Sequence, residues 1–115
     1  EKGLTVIVLT NMNTATTVTS RHSSGKMLHD YASILIDNHG DRGDAAVKLG
    51  GFEQKIASSS TVVGAAILNA VIARACELLL NDGIDPPVFM SGNMDGGDAY
   101  NKAVIAEHRD NIFYM

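Results

Sequence analysis

The chain has 115 residues, which is the length of one ordinary domain or of part of one. With 45% hydrophobic and 19% charged residues it can build a core, which argues against disorder. Nine Lys and Arg against thirteen Asp and Glu give a net charge of −4, so electrostatics do not favour a nucleic-acid or anionic-membrane partner. The single cysteine, Cys76, excludes an internal disulfide and a cysteine-rich zinc site, and no signal-peptide pattern is present. We therefore expect a cytoplasmic protein.

The first part of the sequence predicts a β-α-β unit. Residues 4–10 form a nearly continuous apolar run, typical of a parallel strand that is buried on both faces. A Thr-rich loop over 11–20 follows, and Ser23 and Ser24 then stand at the N-cap position of a short helix that reaches about residue 31. A second strand is predicted at 32–37. Two strands joined through a helix are expected to be parallel, with a right-handed crossover.

The two ends of the chain predict that it is part of a larger domain. Residues 1–3 resemble the last turn and glycine cap of a helix, and a buried strand follows at once. We therefore expect a fragment or a processed chain, in which the helix before the first strand is missing. At the other end, residues 111–115 form an apolar tail that is expected to lie on a surface.

The strongest predicted element is a helix over residues 58–81. Its polar residues, Asn69, Arg74 and Glu77, form one stripe, and its many Gly and Ala residues allow another backbone to approach closely. The Arg and Glu near one end argue against a membrane span. We expect this helix to be buried between the sheet and a second helix, for which another subunit is one source.

The segments on either side of this helix are rich in turn residues. Residues 38–57 form a long glycine-containing connection, in which 44–49 predict a brief strand or a turn. An extended stretch at 88–90 and a turn at 91–97 precede the last predicted helix, at about 98–109, with Asp98 as its N-cap.

Hydroxyl side chains recur where a ligand of an α/β sheet would lie, beyond the strand ends and at helix N-termini. These candidate ligand-binding residues are Thr10, Ser23, Ser24, Ser59, Ser60 and Thr61. Hydroxyl and N–H groups at such places suit a phosphate or a sugar hydroxyl, although serines also cap helices with no ligand present.

Other candidate groups have weaker patterns. His22 and His29 have no third ligand at a standard spacing, so we expect no metal site, although either imidazole is chemically suited to act as a base. Residues 95–98 lack most of the oxygen ligands of a calcium loop. Asp41 and Asp44 are either paired carboxylates for acid–base work or solvated turn residues.

Several segments resemble the second half of a SIS (sugar isomerase) domain. They are GLTVIVLT at 3–10, SSGKML at 23–28 and ASILID at 32–37, and the SSST run at 58–61 matches the helix start that follows in that family. The motifs SRHSSGK, GDAAV and NMDGGD, which begin at residues 20, 43 and 93, narrow the resemblance. They are similar to those of a bacterial group of stand-alone SIS proteins described as phosphosugar or phosphoheptose isomerases. The resemblance covers nearly the whole chain.

The resemblance implies a Rossmann-like αβα sandwich of parallel strands. Residues 1–115 would be the C-terminal portion of a single SIS-type domain, without the N-terminal half that carries the main phosphate loops. It also implies dimers or tetramers that bind a sugar phosphate without a cofactor, with the helix at 58–81 as the interface between subunits. Neither a nucleic acid nor a membrane is implied as a partner.

The resemblance carries over to few site residues. Ser23, at the matching turn, and Ser59, Ser60 and Thr61, at the start of the long helix, are implied to line the sugar site. Such isomerases move a proton between C1 and C2 with a Glu or His, and no residue here matches that position. His22 is our candidate for the base.

Three functions follow as hypotheses. The first is an aldose–ketose isomerase acting on a sugar phosphate through an enediol. The second is a non-catalytic sugar-phosphate sensor, since SIS domains also serve as regulatory modules. The third is a structural assembly module, which is favoured only if no sugar phosphate binds.

Overall fold

The computed structural model describes residues 3–112, which form a mixed α/β structure. The predictions for residues 1–2 and 113–115 lie outside the described residues. In chain order the elements are β1 (Ile7–Thr10), α1 (Met12–Ala15), a 3-10 turn (Leu28–Tyr31), β2 (Ile34–Asp37), β3 (Ala45–Lys48), β4 (Lys55–Ser58), α2 (Ser60–Asn81), α3 (Gly97–Glu107) and a second 3-10 turn (Arg109–Asn111). The chain divides into two units, one ending at Ile72 and the other beginning at Ala73.

The first unit contains the predicted pair of parallel strands. β1 and β2 pair in parallel from Ile7 opposite Ile34 to Thr10 opposite Asp37, which confirms the predicted parallel pairing. Among residues 3–112, Val8 is the one hydrophobic side chain that is buried, with 3% of its surface exposed. Ile7 and Ile34 are largely exposed, so this sheet offers apolar surface to further strands or covering helices.

A hairpin occupies the long glycine-containing connection. β3 confirms the brief strand predicted at 44–49, and β4, which the sequence analysis missed, pairs with it antiparallel. The register places Ala45 opposite Ser58. The hairpin therefore brings the end of β4 back beside Asp44, the residue before β3. Helix α2 begins directly after this point, at Ser60.

Two predictions for residues 11–31 are wrong. Residues 12–15 are helical rather than a loop, because the Asn11 side chain accepts a hydrogen bond from the Thr14 N–H and caps them. Ser23 and Ser24 cap no helix. They lie in a turn that closes with Gly25 at φ +69°, and helical structure begins only with the 3-10 turn at Leu28.

Helix α2 confirms the predicted long helix but not its burial. None of its residues is buried, and Leu68, Val71 and Ile72, which share one face, are 49–57% exposed. By length and composition alone α2 could cross a membrane. Its Arg74–Glu77 ion pair and the Gly64–Leu9 contact near its start are features of a helix that packs on protein.

In the second unit, α3 begins at a pair of glycines. Gly96, at φ +82°, is the N-cap, so the prediction of Asp98 as N-cap is wrong and Asp98 lies inside the first turn. Gly97 is buried against the carbonyl of Ser91. The Asn101 side chain holds the preceding segment on α3, since it donates to the Met90 carbonyl and accepts from the Met90 N–H, both at 2.9 Å.

Candidate functional site

A cavity of about 480 Å³ lies in the first unit, beyond the carboxyl ends of β1 and β2. Its lining residues come from both strand ends, from α1 and the chain after it, from the loop before β3 and from the first turns of α2: Leu9, Thr10, Asn11, Thr14, Ala15, Val18, Met27, Asn38, Asp44, Ser60 and Gly64. This is the place where α/β sheets bind ligands. Apolar walls with a few polar groups are typical of a site for a small molecule.

Asn11 joins the end of β1 to the loop after β2. Its side-chain oxygen accepts from the Thr14 N–H at 3.1 Å, and its amide nitrogen donates to the Asp41 carbonyl at 2.9 Å. A Cβ at Gly40 would come within 2.8 Å of that nitrogen, so glycine allows the close approach. These contacts fix one wall of the cavity.

Asp37, at the end of β2, supports the same wall. Its Oδ1 accepts from the N–H groups of Met12 and His39, at 3.1 and 2.9 Å. These two hydrogen bonds, with a smaller contribution from the His39 charge, lower the pKa of the Asp37 carboxyl below its ordinary value. The ionised carboxylate therefore ties the start of α1 to β2.

Asp44 lies at the N-terminus of α2, although it precedes the hairpin. Its Oδ1 accepts from the Ser60 N–H at 2.7 Å, and its Oδ2 accepts from the hydroxyls of Ser58 and Ser60. The Ser58 hydroxyl first, and then the Ser60 N–H, lower the pKa of the Asp44 carboxyl. The N-terminus of α2 is thus capped by a carboxylate from a remote loop, which also suits its helix dipole.

The structure brings two of the predicted site residues together and leaves the others apart. Thr10 and Ser60 line the cavity. Ser59 donates through its hydroxyl to the Asp44 carbonyl and is half-buried beside the cavity, whereas Thr61 is exposed. Neither is among the lining residues of the described chain.

Ser23, Ser24 and His22 form an exposed turn that does not contribute to the described lining. His22 Nδ1 accepts from the Ser24 N–H at 3.2 Å and lies 2.8 Å from the Ser24 hydroxyl oxygen. The imidazole is therefore engaged with its own turn, and its role as a base stays a prediction.

Sequence reasoning places Thr10 and Asn11 together at the end of β1 but selects only the hydroxyl of Thr10 as a site group, and it misses Asn38. Asn38 follows a predicted strand just as Asn11 does, so the same signal could have found it. The sequence indicated Asp44 only together with Asp41, as paired carboxylates or as solvated turn residues. Its partner in that pair, Asp41, instead forms an ion pair with Lys55 at 3.1 Å.

A second cavity, of about 360 Å³, lies in the second unit. It is apolar, with Phe89 and Ile105 among its lining residues. Within residues 3–112, no three His, Cys, Asp or Glu side chains come together as a group able to hold a metal ion. The first cavity is therefore the candidate site, because it combines apolar walls with convergent polar groups.

Comparison with known proteins gives relatives along the whole chain. UPF0309 protein ABC0887 of Shouchella clausii is 47% identical over 115 residues, which are all of this chain and 47% of that protein. A UPF0309 protein of Listeria monocytogenes serotype 4b (strain F2365) is 44% identical over 97% of this chain and 45% of its own length. One of Oceanobacillus iheyensis is 42% identical over 100% of this chain and 47% of its own length.

The chain spans about half the length of these curated relatives. A scan against protein-family models gives no match.

Proposed function

We propose that this chain forms part of the binding site for a sugar phosphate, in a Rossmann-like SIS-type domain whose other half is supplied by further residues of a longer protein. The observation that carries the proposal is the cavity beyond the parallel pair of β1 and β2, lined by the polar groups of Thr10, Asn11 and Ser60. Amide, hydroxyl and carboxylate groups around one cavity suit a ligand with several hydroxyl groups. The segments that resemble the SIS family support the same substrate class.

The reaction we propose for the complete protein is aldose–ketose isomerisation. A base removes the proton from the carbon beside the carbonyl, and the enediol is protonated on the neighbouring carbon, with no cofactor consumed. His22 is the candidate base from the sequence. It would have to approach the cavity from its exposed turn.

A specific observation favours the second candidate, a non-catalytic sugar-phosphate sensor. The one ionisable side chain in the described lining is that of Asp44, and the hydrogen bonds that lower its pKa make it a poor proton acceptor. Incubation of the full-length Shouchella clausii relative with each bound sugar phosphate, followed by NMR, separates the two functions. Conversion between aldose and ketose supports the isomerase, and binding without conversion supports the sensor.

Ligand binding is tested by thermal unfolding of this chain and of the Shouchella clausii relative with hexose, amino-sugar and heptose phosphates. A ligand at a hundred times its Kd is expected to add about 2.7 kcal/mol to the stability of the protein that binds it.

In this chain Ser60→Ala is expected to weaken binding about fivefold, because it removes a hydroxyl from the cavity wall. Thr19→Ala, at an exposed position outside the lining, is the matched control. Unchanged affinity in Ser60→Ala contradicts the assignment of the site.

We also propose that the protein is cytoplasmic and assembles through α2. The exposed face of Leu68, Val71 and Ile72 is the apolar surface that a second subunit would cover. Val71→Glu is expected to lower the affinity between subunits by tenfold or more, because it buries an unpaired charge. Asn69→Glu places the same charge on the polar stripe and serves as control. Light scattering over a dilution series measures the effect, and a monomeric wild type or equal masses for both variants would contradict the proposal.

A further inference from the structure

The charge of the candidate cavity is negative. Of its lining residues in the described chain, Asp44 alone carries a charge, and the others are apolar or neutral polar side chains. Lys55, at the start of β4, is paired with Asp41 at 3.1 Å. An anionic group that entered this cavity would therefore meet a carboxylate and no compensating cation among the described lining residues.

The position of Asp44 is held by the fold. The residue has φ +73°, a left-handed conformation that Asp and Asn tolerate better than other side chains, and the hairpin of β3 and β4 brings it back to Ser58 and Ser60. The N–H and hydroxyl groups at the start of α2 point to the Asp44 oxygens. A phosphate at this helix start would have to displace that carboxylate.

Asp44 retains capacity to bind a ligand. A carboxylate offers about four acceptor sites, and the hydrogen bonds of Ser58 and Ser60 use three of them. The remaining acceptor belongs to Oδ1, in a half-buried side chain that forms part of the cavity wall. It can accept a hydrogen bond from a hydroxyl group, whereas an ionised phosphate oxygen has no proton to donate and is repelled by the carboxylate charge.

We propose that Asp44 determines which end of the ligand this cavity takes: it accepts hydrogen bonds from sugar hydroxyls and keeps the phosphate group out. This inference rests on the proposed function and refines it. Ser60, which the sequence offered as a ligand for a phosphate or a sugar hydroxyl, orients Asp44 toward the sugar, and the phosphate is held elsewhere in the complete protein.

The test is an NMR titration of the Ser60 amide in this chain with inorganic phosphate, and separately with unphosphorylated hexoses. In the wild type, phosphate is expected to leave the Ser60 amide signal unmoved. Asp44→Asn keeps the shape and the left-handed backbone but removes the charge. It is expected to raise phosphate affinity at this amide about tenfold or more, and to lower hexose affinity by a similar factor. Glu53→Gln removes one charge from an exposed position between β3 and β4, outside the lining, and is expected to do neither.

The wild-type titration needs no variant, so the test survives a variant that fails to fold. A wild-type Ser60 signal that shifts with phosphate overturns the inference, as does an Asp44→Asn variant that gains no phosphate affinity or binds hexoses as the wild type does. Failure of the proposed function has a different signature. In that case no hexose or hexose phosphate binds the wild type or the full-length relative, while the gain of phosphate binding in Asp44→Asn still supports exclusion of anions.

Discussion

Gly97→Ala is expected to destabilise the second unit by about 3 kcal/mol or more, the upper range for overpacking of a buried position. A Cβ at Gly97 would stand 2.4 Å from the Ser91 carbonyl oxygen and 3.3 Å from its carbon, which are backbone atoms with no rotamer to change. Either the start of α3 or the turn at 91–96 must therefore move. Thermal and urea unfolding followed by circular dichroism measure the loss.

The matched control for Gly97→Ala is Gly92→Ala in the same turn. The nearest atom to a Cβ at Gly92 is Asp98 Oδ1 at 3.8 Å, an ordinary contact, so we expect a change within about 0.5 kcal/mol. The Met90–Asn101 hydrogen bonds give a local probe, because a shift of α3 would expose the Met90 amide to hydrogen exchange. Equal stability of the two variants would show that this close approach is not required.

The two glycines of the NMDGGD motif, Gly96 and Gly97, each have a structural role at the start of α3. Gly96 supplies a left-handed N-cap, and Gly97 lets the Ser91 carbonyl approach. Both meet a need of the backbone, so the two glycines of the NMDGGD motif, which contributed to the resemblance, are explained by the structure. The GDAAV motif differs, because Gly43 has φ +81° while Asp44 contributes its carboxylate to the cavity.

The elements that were predictable are those with a local signal. The apolar runs of β1 and β2 and the turn signals around α2 act over a few neighbouring residues, and these elements were found with their order and parallel pairing. The strand β4 has no such run, since it reads Lys-Ile-Ala-Ser, and it exists because β3 pairs with it. Likewise α1 forms in a Thr-rich stretch because Asn11 caps it and Asp37 binds its first N–H.

The sequence was enough to predict the region of the candidate site, but not the contacts between the residues within it. Strand ends and helix starts indicated Thr10 and Ser60, because these places follow from topology alone. The contact between Asp44 and Ser60 spans 16 residues and depends on the register of the hairpin. No local pattern encodes that register, so the sequence offers the serines at 58–60 only as hydroxyls for a ligand or a helix cap. In the structure their hydroxyls converge on one residue: those of Ser58 and Ser60 donate to the Asp44 carboxylate and that of Ser59 to the Asp44 carbonyl.

Acid is expected to destabilise the first unit through Asp44 and Asp37. The pKa of each carboxyl is lowered in the folded chain by hydrogen bonds, so each stabilises the fold above the ordinary carboxyl pKa. That stability is lost as the pH falls from about 4 through the lower folded-state values. The Tm of the wild type is expected to fall more steeply below about pH 5 than that of the double variant Asp37→Asn with Asp44→Asn.

The pH dependence of the double variant tests what these two carboxylates contribute. At pH 7 the double variant is expected to melt below the wild type, because it has lost acceptors for the start of α1 and of α2. As the pH falls through the lowered folded-state pKa values the two curves should converge, since the wild-type carboxyls then become protonated as well. Asp95→Asn, in an exposed turn of the second unit, is the control and should follow the wild type at every pH. Parallel curves for the wild type and the double variant would mean that neither carboxylate stabilises the folded chain, and the cavity wall would then need another explanation for its order.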